Sequence, residues 1–344
     1  MNKCTNPNFL RIERDPTNSD KWKVIFYGSR GKLAQMTEAD YKKCIAGCIE
    51  VPCGNCISCR LEYSRVWANR CYLESLTHPF NWFITLTYDD AHLVYGSKGF
   101  PTLEKDALSS FMRKLRDKLG HDVKCRFFGC GEYGDTTMRP HYHLILFGPA
   151  LQDLTIDIPD YSKPMLPSGK YPIYRRKNKN CDYVFYSDTI YQCWQKGKIE
   201  VEECSWNTAA YVSRYVIKKQ KGTGAEIYDR LGLVPEFLRM SNRPGIGADW
   251  LTYNKNKLLR FDYLSVKNAN GVQTTRPPRY FEKLMMKDNE TVEAALMTAN
   301  KISRRVNADK RCMESLSTKS VGSIDDDFAE SLRKKTSVLK RDCT

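Results

Sequence analysis

Two histidines two residues apart inside an apolar run constrain this chain more than any other feature. The run is Arg139-Pro140-His141-Tyr142-His143-Leu144-Ile145-Leu146-Phe147, and it contains two of the five histidines. Its aromatic and aliphatic composition predicts a buried strand. Strand side chains alternate faces, so His141 and His143 point the same way while Tyr142 packs behind them. Any fold built on this strand must carry a polar pair on one face of an apolar sheet. Neutral imidazoles at that spacing supply two ligands of a divalent-metal site.

A third ligand stands upstream in Cys130-Gly131-Glu132-Tyr133-Gly134. If a strand near 124–131 pairs with one over 141–147 through the Gly134-Asp135-Thr136 connection, Glu132 is carried alongside the imidazoles. Two histidines and a carboxylate leave open positions for water and a phosphate oxygen. The set suits Mg²⁺ or Mn²⁺ as a Lewis acid, with imidazole favouring Mn²⁺. Non-haem iron enzymes use the same His/His/Glu set, so the triad alone does not select a reaction.

A second motif, Tyr211-Val212-Ser213-Arg214-Tyr215-Val216-Ile217-Lys218-Lys219, puts two tyrosines at helical i,i+4 spacing. Tyr211, Tyr215 and Lys218 share one face of such a helix. Tyrosine is a poor nucleophile at its ordinary pKa of ~10. It forms a phosphodiester where a metal polarises the phosphate and a lysine steadies the phenolate. Taken alone, the same residues describe the packing face of an amphipathic helix. Taken with the triad, they are the complementary half of one phosphoryl transfer.

The formal charge of +15, from 55 Lys+Arg against 40 Asp+Glu, favours a polyanionic partner. Arg65, Arg70, Arg116 and Arg176 lie near aromatics in a mixture suited to single strands. His78, His92 and His121 carry no partner pattern and read as surface or capping residues. No apolar run approaches the ~20 residues of a membrane span, and Met1 to Pro7 lacks the apolar core of a signal peptide. A cytosolic protein with reduced thiols is expected.

Five of the fourteen cysteines crowd together at Cys44, Cys48, Cys53, Cys56 and Cys59. Cys53, Cys56 and Cys59, with Cys44 or Cys48 as the fourth thiolate, would suit structural Zn²⁺. Iron–sulfur ligation has similar spacing, and unligated thiols are the plain alternative.

Elsewhere the pattern predicts strands at 23–27 and 82–88 and helices over roughly 60–77, 103–119, 187–196 and 207–219. A further strand is expected from Leu258 to Val266. The segment 149–185 has little periodicity and reads as a long surface insertion. The whole is a mixed α+β chain with an arm (1–43), a main domain (44–265, including the Cys-rich segment 44–60 and the insertion) and a charged C-terminal extension (266–344).

These motifs together resemble the HUH endonuclease superfamily of rolling-circle replication initiators. The nearest likeness is to the initiators of gokushovirus-type microviruses, which are single-stranded DNA phages. Phe83 to Tyr88 resembles the first family motif, His141-Tyr142-His143 the second and Tyr211 to Lys218 the third, in the initiator order. The phrases Val51-Pro52-Cys53-Gly54-Asn55-Cys56, Gly131-Glu132-Tyr133-Gly134 and Arg243-Pro244-Gly245-Ile246-Gly247 strengthen it. The resemblance spans about 50–250. It implies a central antiparallel sheet flanked by helices, with the triad on the sheet and the tyrosine helix across it. It also implies nicking of one strand at an origin, a 5′-phosphotyrosine on Tyr211 or Tyr215, and a free 3′-hydroxyl. Single-stranded origin DNA, host helicase and polymerase are the implied partners, in the cytoplasm of a bacterial host. A DNA-binding regulator that keeps the fold without catalysis is the competing reading.

Overall fold

Period-two alternation sorts the apolar residues of 82–88 and 126–147 onto two faces of one sheet, and helices cover both. The protein is described by a computed structural model. It describes residues 4–33, 35–45, 48–134, 136–160, 163–178, 182–218, 225–268, 271–287 and 291–318. Two compact units divide after Tyr63.

In the first unit, β1 (Asn8–Asp15) pairs antiparallel with β2 (Asn18–Ser29) on one side. Two short helices follow, α1 (Arg30–Leu33) and α2 (Glu38–Ile45), before β3 (Ile49–Val51) pairs antiparallel on the other side of β1. The expected strand at 23–27 is the middle of β2. Helix α3 (Ile57–Ser75) starts in this unit, after the Cys-rich segment.

The second unit adds β4 (Asn81–Thr87), α4 (Ala107–Leu119), β5 (Arg126–Tyr133) and β6 (Pro140–Phe147). Four two-residue strands come next: β7 (Leu154–Thr155), β8 (Ile158–Pro159), β9 (Ile173–Tyr174) and β10 (Tyr186–Ser187). They are followed by α5 (Asp188–Trp194), β11 (Ile199–Glu203), α6 (Trp206–Lys218), α7 (Glu226–Leu231) and β12 (Phe237–Met240). The main sheet has the order β11-β4-β6-β5-β12, every neighbour antiparallel.

On one face, Leu86, Tyr142, Leu144 and Leu146 pack against Leu108, Phe111, Met112 and Leu115 of α4 and Ile190 and Trp194 of α5. On the other, Phe83, Phe128, Cys130, Ile145 and Phe147 meet Trp67 and Cys71 of α3, Ala209 and Val212 of α6, and Ile246. Each buried side chain of this size contributes on the order of 1.5–3 kcal/mol, so both helix layers are firmly held.

The C-terminal part departs from the expected strand at 258–266. Helix α8 (Ala248–Phe261) runs through Leu258, because Leu251 and Leu258 recur at helical spacing on its buried face. Asp262, left-handed at φ 53°, ends it, and only then does β13 (Leu264–Asn268) begin, paired with β14 (Gly271–Thr275). Helices α9 (Arg279–Met285) and α10 (Val292–Thr318) close a third core of Leu251, Leu264, Phe281 and Met297.

Nor is 149–185 a surface insertion throughout: Leu151, Ile158 and Val184 are buried in the α4-side core. Three apolar anchors so far apart leave no period to detect. Among the described residues no helix is long and apolar enough to cross a membrane.

Candidate active site

Register brings the triad together. In β5 and β6, Glu132 lies opposite His141 and Cys130 opposite His143, and in β4 Thr85 lies opposite His143. Strand β5 extends two residues beyond the expected 131, so Glu132 sits within the ladder. All three side chains emerge on the face covered by α3 and α6. Glu132 Oε1 stands 2.7 Å from His141 Nε2 and 3.1 Å from His143 Nε2. The three ligand atoms fall within 4.8 Å of one another.

The other ring nitrogens are already engaged. His141 Nδ1 donates to the carbonyl of Arg139 at 3.0 Å, and His143 Nδ1 meets the Thr85 hydroxyl at 2.9 Å. A carbonyl only accepts, so a neutral His141 carries its proton on Nδ1 and turns the lone pair of Nε2 toward the Glu132 carboxylate. Two lone pairs facing each other at 2.7 Å repel unless positive charge stands between them. That is the electrostatics of a cation site whose outer hydrogen bonds fix the ligand tautomer. Burial works to raise the Glu132 pKa, but the hydrogen bonds from His141 and His143 outweigh it and hold the carboxyl at about 2.

Helix α6 lies over this face. Ser205 and Thr208 open it with reciprocal bonds, Ser205 N donating to Thr208 Oγ1 at 2.8 Å and Thr208 N to Ser205 Oγ at 3.2 Å. Ala209, Ala210, Val212 and Ser213 are buried, and the small residues let the helix approach the sheet closely. Tyr211 is 42% exposed. Its ring stands 5.6 Å from the His143 imidazole, edge-on at 79°, and 6.0 Å from Phe83 at 85°. Phe83 stacks on His143 at 5.4 Å, so one phenylalanine braces both. Tyr215 and Lys218 continue the same helix, and their side chains lie outside the described part of the structure.

Several supporting residues carried no signal in the sequence. Arg139 Nε donates to the Tyr88 carbonyl at 2.9 Å and its Nη2 to Asp90 at 2.6 Å, tying the start of β6 to the end of β4. Behind the histidines, Tyr142 Oη accepts from Glu104 N at 2.8 Å and lies 3.0 Å from Tyr88 Oη. Burial, the leading cause, pushes the Tyr142 phenol up to about 12. His78 is not a surface residue: it is buried against Glu74, which also pairs with Arg126. Arg70 lies 4.2 Å over both Trp67 and Tyr280, and Arg116 bonds the Cys125 carbonyl. Those two arginines of the basic set are engaged in packing.

In the first unit, Cys53, Cys56 and Cys59 come together with Cys4. The fourth thiol is neither Cys44 nor Cys48. Pairing of β1 with β3 is the reason: Asn8 opposes Val51, which brings the residues before β1 beside those after β3. Cys48 instead donates to the Cys44 carbonyl at 3.3 Å.

Residues 81–220 match the family described as Replication-associated protein ORF2, a span that contains the triad and both tyrosines. The chain is 34% identical over 244 residues to Replication-associated protein ORF2 of Spiroplasma virus 4, covering 69% of this chain and 68% of that protein. It is 28% identical over 244 residues to Replication-associated protein VP4 of Bdellovibrio phage phiMH2K, with the same coverages of 69% and 68%. Against Replication-associated protein ORF4 of Chlamydia phage 1 it is 31% identical over 173 residues, 49% of this chain and 38% of that protein. No solved structure matches the chain.

Proposed function

Since this chain belongs to the replication-associated protein ORF2 family of rolling-circle replication initiators, we propose that it is a site-specific single-strand DNA endonuclease and strand transferase. It would nick the origin of a circular phage genome and hold the cut end as a 5′-phosphotyrosine. The observation that carries this reading is the edge-on approach of Tyr211 to His143, which puts a half-exposed phenol beside a cation-ready triad. An oxygenase built on the same ligands would have no use for that phenol.

Glu132, His141 and His143 would hold the divalent ion, and their convergence with pre-engaged Nδ1 atoms fits it. Bound there, Mg²⁺ or Mn²⁺ supplies Lewis-acid polarisation of the scissile phosphate. Tyr211 gives up its phenolic proton to solvent, and its Oη bonds to phosphorus as the bond from phosphorus to the 3′ oxygen breaks. The departing oxygen takes up a proton and becomes the 3′-hydroxyl. One phosphodiester replaces another, so attack by a 3′-hydroxyl on the phosphotyrosine reseals a strand. Tyr215, four residues on, is the second nucleophile that a terminating cleavage requires, and by helical spacing Lys218 shares its face. The free 3′-hydroxyl needs a host polymerase, and unwinding ahead of it a helicase, in the cell the phage infects.

The test is incubation with labelled single-stranded origin DNA and Mn²⁺, followed by denaturing electrophoresis. An adduct that needs metal, survives denaturant and is absent from a Tyr211→Phe, Tyr215→Phe double variant is expected. Binding without adduct, across origin segments and metals, would make this a non-catalytic DNA-binding protein.

A further inference from the structure

We propose that Cys4, Cys53, Cys56 and Cys59 form a mononuclear tetrathiolate zinc site that staples the N-terminal strands of the first unit to the opening turn of α3. The site is independent of the nuclease reading.

Backbone geometry prepares it. The β1–β3 pairing sets Cys4, four residues before Asn8, beside Cys53, two residues after Val51. Cys53-Gly54-Asn55-Cys56 then turns tightly, with Gly54 at φ +73° and nothing within 4 Å of where a Cβ would stand. The turn aims the amides of Asn55 and Cys56 at Cys53 Sγ, at 3.4 and 3.3 Å. The amide of Cys53 points at Cys4 Sγ at 3.3 Å. Amide hydrogens directed at sulfur favour the thiolate over the thiol. Cys59 enters from the first turn of α3, three residues after Cys56.

Distances select the metal centre. A tetrahedral Zn–S length of about 2.3 Å places sulfurs about 3.8 Å apart along each edge. Cys4 and Cys56 Sγ lie 3.7 Å apart, and all four sulfurs within 4.8 Å of one another. The separation is far beyond the ~2.05 Å of a disulfide. An iron–sulfur cluster puts its own irons and sulfides between the thiolates and spreads them wider. Four soft thiolates also discriminate against Mg²⁺ and Mn²⁺, so this ion and the one at the triad differ in kind.

The unit needs such a staple. Among its described residues only Phe9 and Leu33 are buried hydrophobic side chains, while Val24 and Phe26 of β2 are 60% and 62% exposed. A unit of this size with so little core depends on a crosslink or a metal.

The test uses the full chain purified without added chelator. Zinc released by an organomercurial thiol reagent should equal one ion per chain, and should be unchanged by His141→Ala with His143→Ala, which removes the triad. Cys4→Ser should abolish it, whereas Cys44→Ser with Cys48→Ser should leave it intact. Cobalt reconstitution should give intense thiolate charge-transfer bands and tetrahedral ligand-field bands. Zinc absent from the folded chain, zinc lost on replacing Cys44 and Cys48, or iron accompanied by acid-labile sulfide would each overturn the proposal. Should Cys4→Ser fail to fold, the cobalt spectrum and the Cys44, Cys48 double variant still decide it.

Discussion

The phenol of Tyr211 stands edge-on to the imidazole of His143, centroids 5.6 Å apart, with Phe83 against both rings. A nucleophile placed against a ligand of the proposed cation is in position for the first cleavage. On a linear origin oligonucleotide, Tyr211→Phe should lower adduct formation by about a thousandfold or more. Tyr215→Phe should still nick but should fail to release a closed circle when a second origin is supplied. Quantitative denaturing gels with each single variant check this, and equal adduct from both variants would contradict the ordering.

Thr85 has no side chain at the reaction centre, yet its hydroxyl lies 2.9 Å from His143 Nδ1 and fixes the orientation of that ring. Thr85→Val keeps the shape of the β4 residue and removes the hydrogen bond. Metal affinity should fall by about 10–100-fold. In a Mn²⁺ titration of nicking, the half-saturating concentration should rise while the rate at saturating metal changes little. An unchanged titration would mean that the ring is held by packing against Phe83 alone.

The convergence of Glu132, His141 and His143 was legible because strand periodicity fixes faces, and a hairpin fixes which residues oppose. The helical spacing of Tyr211 and Tyr215 was legible for the same reason. Cys4 was not, since it reaches Cys53 only through the pairing of β1 with β3, and no local pattern announces a partner 49 residues away. Leu258 to Val266 reads as one apolar strand, but a left-handed Asp262 splits it between α8 and β13. The burial of Glu74 with Arg126 likewise depends on a loop 173 residues downstream.

Gly131 of β5 opposes Tyr142 on one side and Phe237 of β12 on the other. A Cβ there would come within 3.1 Å of Leu103 Cδ2 and of the Phe237 ring. Both neighbours are held by packing, so Gly131→Ala should cost about 1–3 kcal/mol through overpacking. Urea denaturation should report a lower midpoint with an unchanged slope. An unaltered midpoint would show that Phe237 at the sheet edge can turn away.

Glu74 of α3 gathers the loop 243–247 onto the sheet. One carboxylate oxygen pairs with Arg126 and lies 3.4 Å from His78 Nε2, and the other accepts from Gly247 N at 2.6 Å. Arg126 in turn donates to the Pro244 carbonyl at 2.9 Å. Burial alone would raise the Glu74 pKa, but the bonds from His78, Gly247 and Arg126 and the charge of Arg126 outweigh it and lower it. A carboxyl depressed on folding adds stability above its ordinary pKa, and that increment disappears as pH falls through the lower folded value. Glu132, Glu104 and Asp153 are shifted in the same sense, so the wild-type profile against pH contains all four. The difference between wild type and Glu74→Gln isolates one of them. At neutral pH the variant should be less stable by about 3–5 kcal/mol, because Arg126 stays buried without its counter-charge. As pH falls below the ordinary carboxylate range the two denaturation midpoints should converge, whereas a constant gap would assign the loss to packing and not to the carboxylate charge.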